Sequence, residues 1–279
     1  MPREPRRVRV DLGSLALEVL DWPGSLPPVL ALHGLAGNVR EWDRMARAFD
    51  DLRVLAVDLR GHGSSDWADS YGVDAYVHDV EDVVERVHSG PVVVVGHSLG
   101  GIVGMSLGAR RPDLVERLVM VDIGPELPAS AVTQVVARRD RPTAFDGPDT
   151  AFDALRAANP FAPDDVIRDR VAHGLVESSP GSWTWRHDPL VQVPQAGALD
   201  GLRETWRAST SPALVVRGEH SPYLTSELMR RMVAARPYAA GVTIRGAGHN
   251  AHTDRPDAFH TAIEDWLGTG ATEELAPPR

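Results

Sequence analysis

Short apolar runs alternate with longer segments of helical period along most of the chain. Compact apolar runs, each the length of a buried strand, lie at residues 28–33, 53–58, 91–95, 116–121, 213–218 and 242–245. Between them, apolar residues recur with the spacing of amphipathic helices at residues 38–49, 74–88, 99–110, 225–235 and 256–266. Two further runs, at residues 8–10 and 15–22, predict a hairpin of strands at the start of the chain.

This alternation predicts the architecture. Strands that alternate with helices favour a mostly parallel sheet with helices on both faces, so we expect an α/β fold. The rhythm stops after residue 125, and the residues that follow combine helical segments with a Trp-rich patch. We therefore predict an α/β core, an insertion that caps the strand ends, and a flexible Gly-, Pro- and Glu-rich tail, at residues 1–125 with 211–268, 126–210 and 269–279 respectively.

Composition limits the cellular compartment and the classes of partner that we expect for this protein. Hydrophobic residues make up 43% and charged residues 24% of the 279 residues, and no apolar run approaches the ~20 residues of a membrane span. The net charge of -10 argues against nucleic acid as a partner. The chain has no cysteine, hence no disulfide, thiol nucleophile or Cys-ligated zinc, and its basic N-terminus lacks the apolar segment of a signal peptide. We expect a cytoplasmic protein without metal, cofactor, membrane or nucleic-acid partner.

The motif Gly96-His-Ser-Leu-Gly100 directly follows a run of four valines and precedes a helical segment. This is the G-x-S-x-G pattern, in which small flanking residues allow a sharp strand-to-helix turn that exposes the serine hydroxyl. A serine needs such an exposed position and an adjacent base to act as a nucleophile. The spacing therefore predicts Ser98 as the nucleophile, with His97 packed beneath the turn.

Backbone N–H groups must stabilise the negative charge that develops on a substrate oxygen during attack. The amide of Leu99, at the start of the helix, is one candidate donor, helped by the positive end of the helix. The amide of Leu35, in the loop His33-Gly-Leu-Ala-Gly37, is the second, because the glycines let this loop fold close to the serine. Gly34 and His97 are candidates for contact with the substrate.

The base is expected on a loop after the last strand. His249 follows a strand through the glycine turn Gly246-Ala-Gly-His249, whereas His252, three residues further, is expected to start or flank the final helix. We therefore favour His249 over His252, on the criteria of role and position.

Four motifs together resemble the α/β-hydrolase superfamily: His33-Gly-Leu-Ala-Gly37, Asp58-Leu-Arg-Gly-His-Gly-Ser-Ser65, Gly96-His-Ser-Leu-Gly100 and Gly246-Ala-Gly-His249. The resemblance implies an eight-stranded, mostly parallel sheet with a helical cap, and it does not identify a substrate. Because the predicted nucleophile is a serine, the chemistry of those members that form an aspartyl-ester intermediate is excluded.

The acid departs from the pattern of that superfamily. Most members have an aspartate in a Gly-x-x-Asp turn after the strand at residues 213–218, but here the turn reads Gly218-Glu-His-Ser221. A serine cannot hold an imidazolium by charge, and Glu219 directly follows the glycine and should point elsewhere. Asp122, at the end of the strand beside that of the nucleophile, could reach His249 from the other side. We favour Asp122 over Glu219, as in members that include some lactonases.

Trp183 and Trp185 are two residues apart within the insertion, so in an extended strand both would face one side. They would then lie over the nucleophile or form an aromatic pair in the cap. An aromatic cap favours an apolar or cyclic acyl compound as the small-molecule substrate. The sequence thus predicts a serine hydrolase, an esterase or lactonase that forms an acyl-enzyme on a Ser-His-Asp triad. A C–C bond hydrolase, or a non-hydrolytic ligand-binding or cyclising member, remains an alternative.

Overall fold

The computed structural model describes residues 3–128, 131, 142–193 and 200–268 of the chain. Its strands are β1 (Arg6–Asp11), β2 (Ala16–Trp22), β3 (Leu26–Leu32), β4 (Leu52–Val57), β5 (Val92–His97), β6 (Val115–Val121), β7 (Ala144–Phe145), β8 (Leu175–Ser179), β9 (Ser182–Trp185), β10 (Ala213–Gly218) and β11 (Ala239–Ile244). Its α-helices are α1 (Asp43–Ala48), α2 (Val73–Val87), α3 (Leu99–Arg110), α4 (Pro148–Ala158), α5 (Asp164–Gly174), α6 (Leu202–Ala208), α7 (Ser226–Ala234), α8 (Ala251–Asp254) and α9 (Pro256–Gly268). Two 3-10 helices cover Val39–Trp42 and Pro189–Gln192.

The central sheet has eight strands in the order β1-β2-β4-β3-β5-β6-β10-β11. The β1–β2 hairpin is antiparallel and β2 pairs antiparallel with β4. All the other neighbours in this sheet, from β4 through β3, β5, β6 and β10 to β11, pair in parallel. The predicted eight-stranded, mostly parallel sheet is therefore confirmed. In such a sheet the carboxyl ends of the parallel strands meet at one edge, where α/β proteins bind ligands.

The valines of β5 show why this strand lies at the centre. Val92 and Val94 pack into the hydrophobic cluster that contains α2 and α3, while Val93 and Val95 pack into the cluster with α1 and α9. Because successive side chains of a strand point to opposite faces, an all-valine run fits only a strand that is covered on both sides.

Two of the differences between the predicted and observed elements have a clear physical cause. The helix expected over residues 38–49 is a 3-10 helix followed by α1, with Asn38 as its N-cap accepting a hydrogen bond from Arg40 N at 2.9 Å. Here the Val39 N–H donates to Asp58 Oδ1 at 2.8 Å, so the first turn is tied to the end of β4. Strand β11 begins at Ala239, three residues before the predicted start, because its parallel pairing with β10 extends that far.

The described parts of residues 126–210 form a small antiparallel sheet, β7-β9-β8, with α4 and α5 beside it. These elements have their own cluster of apolar side chains, which includes Phe145 and Leu175. Helix α6 lies apart from them, because its Trp206 belongs to the core cluster. The division into core and cap stays a prediction, and the tail at residues 269–279 lies outside the described residues. Within the described chain, no helix is long and apolar enough to span a membrane.

Candidate active site

Ser98 occupies a strained turn between β5 and α3. Its backbone φ of 51° and ψ of -112° lie in a region that non-glycine residues rarely adopt. The turn is possible because Gly100 packs directly on the end of β3, where a Cβ atom would lie 2.2 Å from the carbonyl oxygen of Leu32. The chain therefore places the Ser98 side chain at the carboxyl edge of the sheet, where it lines a cavity.

The two backbone amides predicted to hold an oxyanion belong to Leu99, the next residue in the chain, and to Leu35, which lines the same cavity as Ser98. Leu99 is the first residue of α3, so its N–H has no acceptor within the helix. Leu35 and Gly34, in the loop after β3, line the same cavity as the serine. His33 holds this loop: its Nε2 accepts from the N–H of Leu59 at 3.0 Å, so its Nδ1 donates to the carbonyl of Gly34 at 2.8 Å.

The structure brings His249 and Asp122 together. His249 Nδ1 lies 2.8 Å from Asp122 Oδ2, and the His249 ring lies at 4.0 Å, centroid to centroid, from the ring of Tyr223. His97 holds the backbone of His249, since its Nε2 lies 3.0 Å from the carbonyl oxygen of that residue. When Nδ1 donates to the carboxylate, the neutral imidazole keeps a lone pair on Nε2, as a general base for Ser98 requires.

Asp122 is fully buried at the end of β6, with a backbone φ of 56°. Its Oδ1 accepts from the N–H of Gly218 at 2.8 Å, and its Oδ2 accepts from the hydroxyl of Ser221 and from His249. Burial raises the pKa of the Asp122 carboxyl, and the hydrogen bonds from Ser221 and Gly218 oppose that shift. The charged form of such a buried carboxylate is stabilised most when the imidazole beside it becomes positively charged.

The turn after β10 places Ser221 and Glu219 in different environments. The Ser221 hydroxyl, besides donating to Asp122, accepts from the N–H of Tyr223 at 3.0 Å. Glu219 is exposed and points elsewhere, accepting from the N–H of Gly246 at 2.8 Å. Ser221 thus acts as a hydrogen-bond donor to Asp122 at the position where most members of the superfamily carry an aspartate.

Gly218 lets this turn approach the histidine loop, which is the segment at residues 245–250 between β11 and α8. A Cβ atom at Gly218 would lie 1.9 Å from the carbonyl oxygen of Gly248, so any side chain there would push the two loops apart. This close approach of the loops after β10 and β11 brings His249 within reach of Asp122, which is hydrogen-bonded through its own N–H to Val216 of β10 at 2.7 Å.

The cavity at this edge has a volume of about 390 Å³ and lies between the core and the inserted segment. The inserted segment contributes mainly apolar side chains to its lining, among them Phe145, Leu155, Phe161 and Trp185. Trp183 is not among the lining residues; it packs against the small cluster that contains Phe145. The two indoles thus differ, since only Trp185 reaches the cavity that contains Ser98.

Sequence reasoning misses two contributors to this geometry. Tyr223, whose ring lies against that of His249 at a tilt of 32°, carries no local signal beyond its position in the turn after β10. In the sequence, Ser221 indicates only a missing charge, because the hydrogen bond from its hydroxyl to Asp122 joins residues 99 positions apart.

Comparison with known proteins decides the family. The profile described as "Alpha/beta hydrolase family" matches residues 29–262. The chain belongs to this family. An esterase of Mycobacterium tuberculosis is 31% identical over 95% of this chain and 90% of that protein. The 2-(acetamidomethylene)succinate hydrolase of Mesorhizobium japonicum is 29% identical over 93% of this chain and 94% of that protein.

Solved structures of this α/β-hydrolase's relatives agree with its fold. A crystal structure of E-2-(acetamidomethylene)succinate hydrolase superposes with a TM-score of 0.86 at 29% identity, covering 95% of this chain and 100% of that one. The predicted superfamily, fold and serine-hydrolase function are therefore confirmed, and the substrate is a small molecule. The roles of the individual site residues stay predictions.

Proposed function

We propose that this α/β-hydrolase cleaves a carboxylic ester or lactone through an acyl-enzyme on Ser98. His249 would be the general base and Asp122 the acid that orients it. The observation that carries the proposal is the 2.8 Å hydrogen bond between His249 Nδ1 and Asp122 Oδ2, in the cavity that Ser98 lines. This arrangement supports general-base activation of a serine hydroxyl.

The reaction follows from these positions in two halves. His249 Nε2 takes the proton of Ser98 Oγ as this oxygen attacks the carbonyl carbon, and the amides of Leu35 and Leu99 hold the resulting oxyanion. The imidazolium then gives its proton to the leaving alkoxide, which departs as an alcohol. Water, activated by the same imidazole, attacks the acyl-enzyme, and the carboxylic acid is released. Asp122 stabilises the imidazolium in both halves.

The cavity lining supports a neutral, apolar or cyclic acyl compound as the substrate. Phe145, Leu155, Phe161 and Trp185 offer apolar surface on the side of the inserted segment, which would act as the cap. The guanidinium of Arg170 also reaches the cavity, but its Nη2 lies 3.8 Å from Glu41 Oε1. Because Glu41 offsets this positive charge, Arg170 does not by itself call for an anionic substrate.

A fluorophosphonate probe tests the nucleophile. Purified wild type should be labelled at Ser98, and the Ser98→Ala variant should not be labelled at all. Ser178→Ala, which alters an exposed serine on β8, is the matched control and should be labelled like wild type. An unlabelled wild type would contradict the role of Ser98.

A substrate panel tests the chemistry and the substrate class. We expect hydrolysis of neutral p-nitrophenyl esters and of macrolactones, with larger apolar acyl groups preferred over short charged ones. Trp185→Ala should raise KM for the apolar esters, whereas Trp183→Ala should leave KM near that of wild type. A preference for anionic esters, lost in Arg170→Gln, would instead indicate a substrate with a carboxylate. Cleavage of diketones alone would favour the C–C hydrolase.

A further inference from the structure

Glu41, His97 and His252 form a buried cluster beside the proposed active site. Glu41 lies in the 3-10 helix after β3, His97 directly precedes Ser98, and His252 lies in α8. Their side chains are only 7%, 4% and 2% exposed respectively. Three elements that are distant in sequence thus direct one carboxylate and two imidazoles into the same small volume.

The facing atoms of this cluster are not satisfied by hydrogen bonds. Glu41 Oε2, His97 Nδ1 and His252 Nε2 are all buried without a hydrogen-bond partner among the described residues. Glu41 Oε2 lies 3.9 Å from His97 Nδ1 and 3.6 Å from His252 Nε2, beyond hydrogen-bond distance. Buried polar atoms are nearly always paired, so three unpaired ones that face each other indicate a missing partner.

The spacing of these atoms fits a metal ion as that partner. Two ligands of a tetrahedral zinc ion lie about 3.4 Å apart when each is bound at its usual distance. The separations of 3.6 and 3.9 Å are close to this value, and all three ligand atoms lie within 4.8 Å of one another. Small side-chain rotations would therefore complete the coordination.

His97 has the second hydrogen bond that is usual for a metal-bound histidine. Its Nε2 lies 3.0 Å from the carbonyl oxygen of His249, which can only accept, so Nε2 carries the proton and Nδ1 presents a lone pair. A Cβ atom at Gly34 would lie 2.6 Å from this Nδ1. The absence of a side chain at Gly34 therefore leaves space beside this nitrogen.

We propose that Glu41, His97 and His252 bind a divalent first-row transition-metal ion. Two imidazoles and one carboxylate form a donor set suited to such ions, and three protein ligands leave a coordination position open. Glu41 and His97 line the cavity, which supplies a path for the ion and for an exogenous ligand. Arg170 Nη2, 3.8 Å from Glu41 Oε1, faces the other carboxylate oxygen and leaves Oε2 to the metal.

Titration of the purified full chain with Co²⁺ tests this site. Tetrahedral Co²⁺ has intense visible absorption, and we expect such bands to saturate at one ion per chain and to be displaced by Zn²⁺. Loss of a ligand in His252→Asn or Glu41→Gln should weaken Zn²⁺ binding, measured by calorimetry, at least about tenfold. His220→Asn, which changes an exposed histidine that lines the same cavity, is the matched control and should bind Zn²⁺ like wild type.

Two outcomes would overturn the proposal. One is a wild-type Co²⁺ spectrum with only the weak bands of octahedral surface binding. The other is unchanged Zn²⁺ affinity in both ligand variants, each shown to be folded by its thermal transition. The wild-type spectrum decides even where a variant fails to fold. Since no readout depends on hydrolysis, failure of this proposal is distinguishable from failure of the proposed catalytic function.

Discussion

The turns after β6 and β10 differ in the environment that each gives to its carboxylate. These strands are parallel neighbours, so both turns lie at the same edge of the sheet. Both also contact the histidine loop through hydrogen bonds. Asp122, after β6, is buried and accepts hydrogen bonds from a backbone amide, a hydroxyl and His249. Glu219, after β10, is exposed and accepts from a backbone amide of the loop before His249.

The difference teaches what a catalytic acid requires of its position. Proximity to the histidine loop is shared by both turns, whereas burial and a complete set of donors belong to Asp122 alone. Burial raises the pKa of Asp122, and the donors oppose this shift, so the carboxylate depends on Ser221 and Gly218. The residue in place of the usual aspartate is thus a hydrogen-bond donor to the aspartate on the neighbouring strand.

Of the substitutions in these two turns, Asp122→Asn should have the largest effect on activity. The amide keeps the shape but removes the charge that holds the imidazolium, and it would favour the wrong tautomer of His249. We expect kcat for a p-nitrophenyl ester to fall about 10⁴-fold, as judged from triads of this type. A variant that keeps wild-type kcat, with the asparagine verified by mass spectrometry, would refute the role of Asp122.

Moving the acid to the other turn sharpens the comparison. In Asp122→Asn/Ser221→Asp, the new carboxylate would occupy the position where most members of the superfamily carry theirs. One recovered charge-assisted hydrogen bond should restore kcat roughly ten- to 100-fold over Asp122→Asn alone. The control is Asp122→Asn/Ser221→Asn, which places a side chain of the same size without charge. Equal kcat values in the two double variants would show that a carboxylate in the turn after β10 cannot replace the catalytic acid.

Removal of the Ser221 hydroxyl should have a moderate effect. Ser221→Ala deletes one donor to the buried carboxylate, so the free energy of unfolding should fall by about 1–3 kcal/mol in urea denaturation. The pKa of Asp122 should rise further for the same reason. Ser178→Ala, on an exposed strand, should leave the urea midpoint unchanged. A Ser221→Ala protein as stable as wild type would show that its hydrogen bond to Asp122 contributes nothing.

Replacement of Glu219 by glutamine should have the smallest effect. The side chain is exposed, and glutamine retains an oxygen that can accept from the N–H of Gly246. We expect kcat/KM within about twofold of wild type, as for most surface substitutions. A loss comparable to that of Asp122→Asn would reverse the assignment of the two carboxylates.

The sheet and its principal helices are predictable because their signals are periodic and local. The valines of β5 and the helical spacing of α2 each predict one element without knowledge of the rest. The short sheet β7-β9-β8 is not predictable in this way, because its strands are brief and pair within an insertion whose spacing favours helices. One continuous helix is predicted over residues 38–49, but the structure has a 3-10 helix followed by α1. The first turn is held by a hydrogen bond from Val39 to Asp58, which is 19 positions away in the chain.

What the sequence determined by itself about the site is the part encoded between chain neighbours. The strand-to-helix turn at Ser98 and the glycine turn before His249 are local motifs, so the amino-acid sequence alone singles out both residues. Tertiary structure decided the rest. Asp122 meets Gly218, Ser221 and His249 across 96, 99 and 127 positions of the chain, and these contacts exist only because the loops after β10 and β11 pack together. Burial and donor geometry arise from that packing, and no local pattern encodes them.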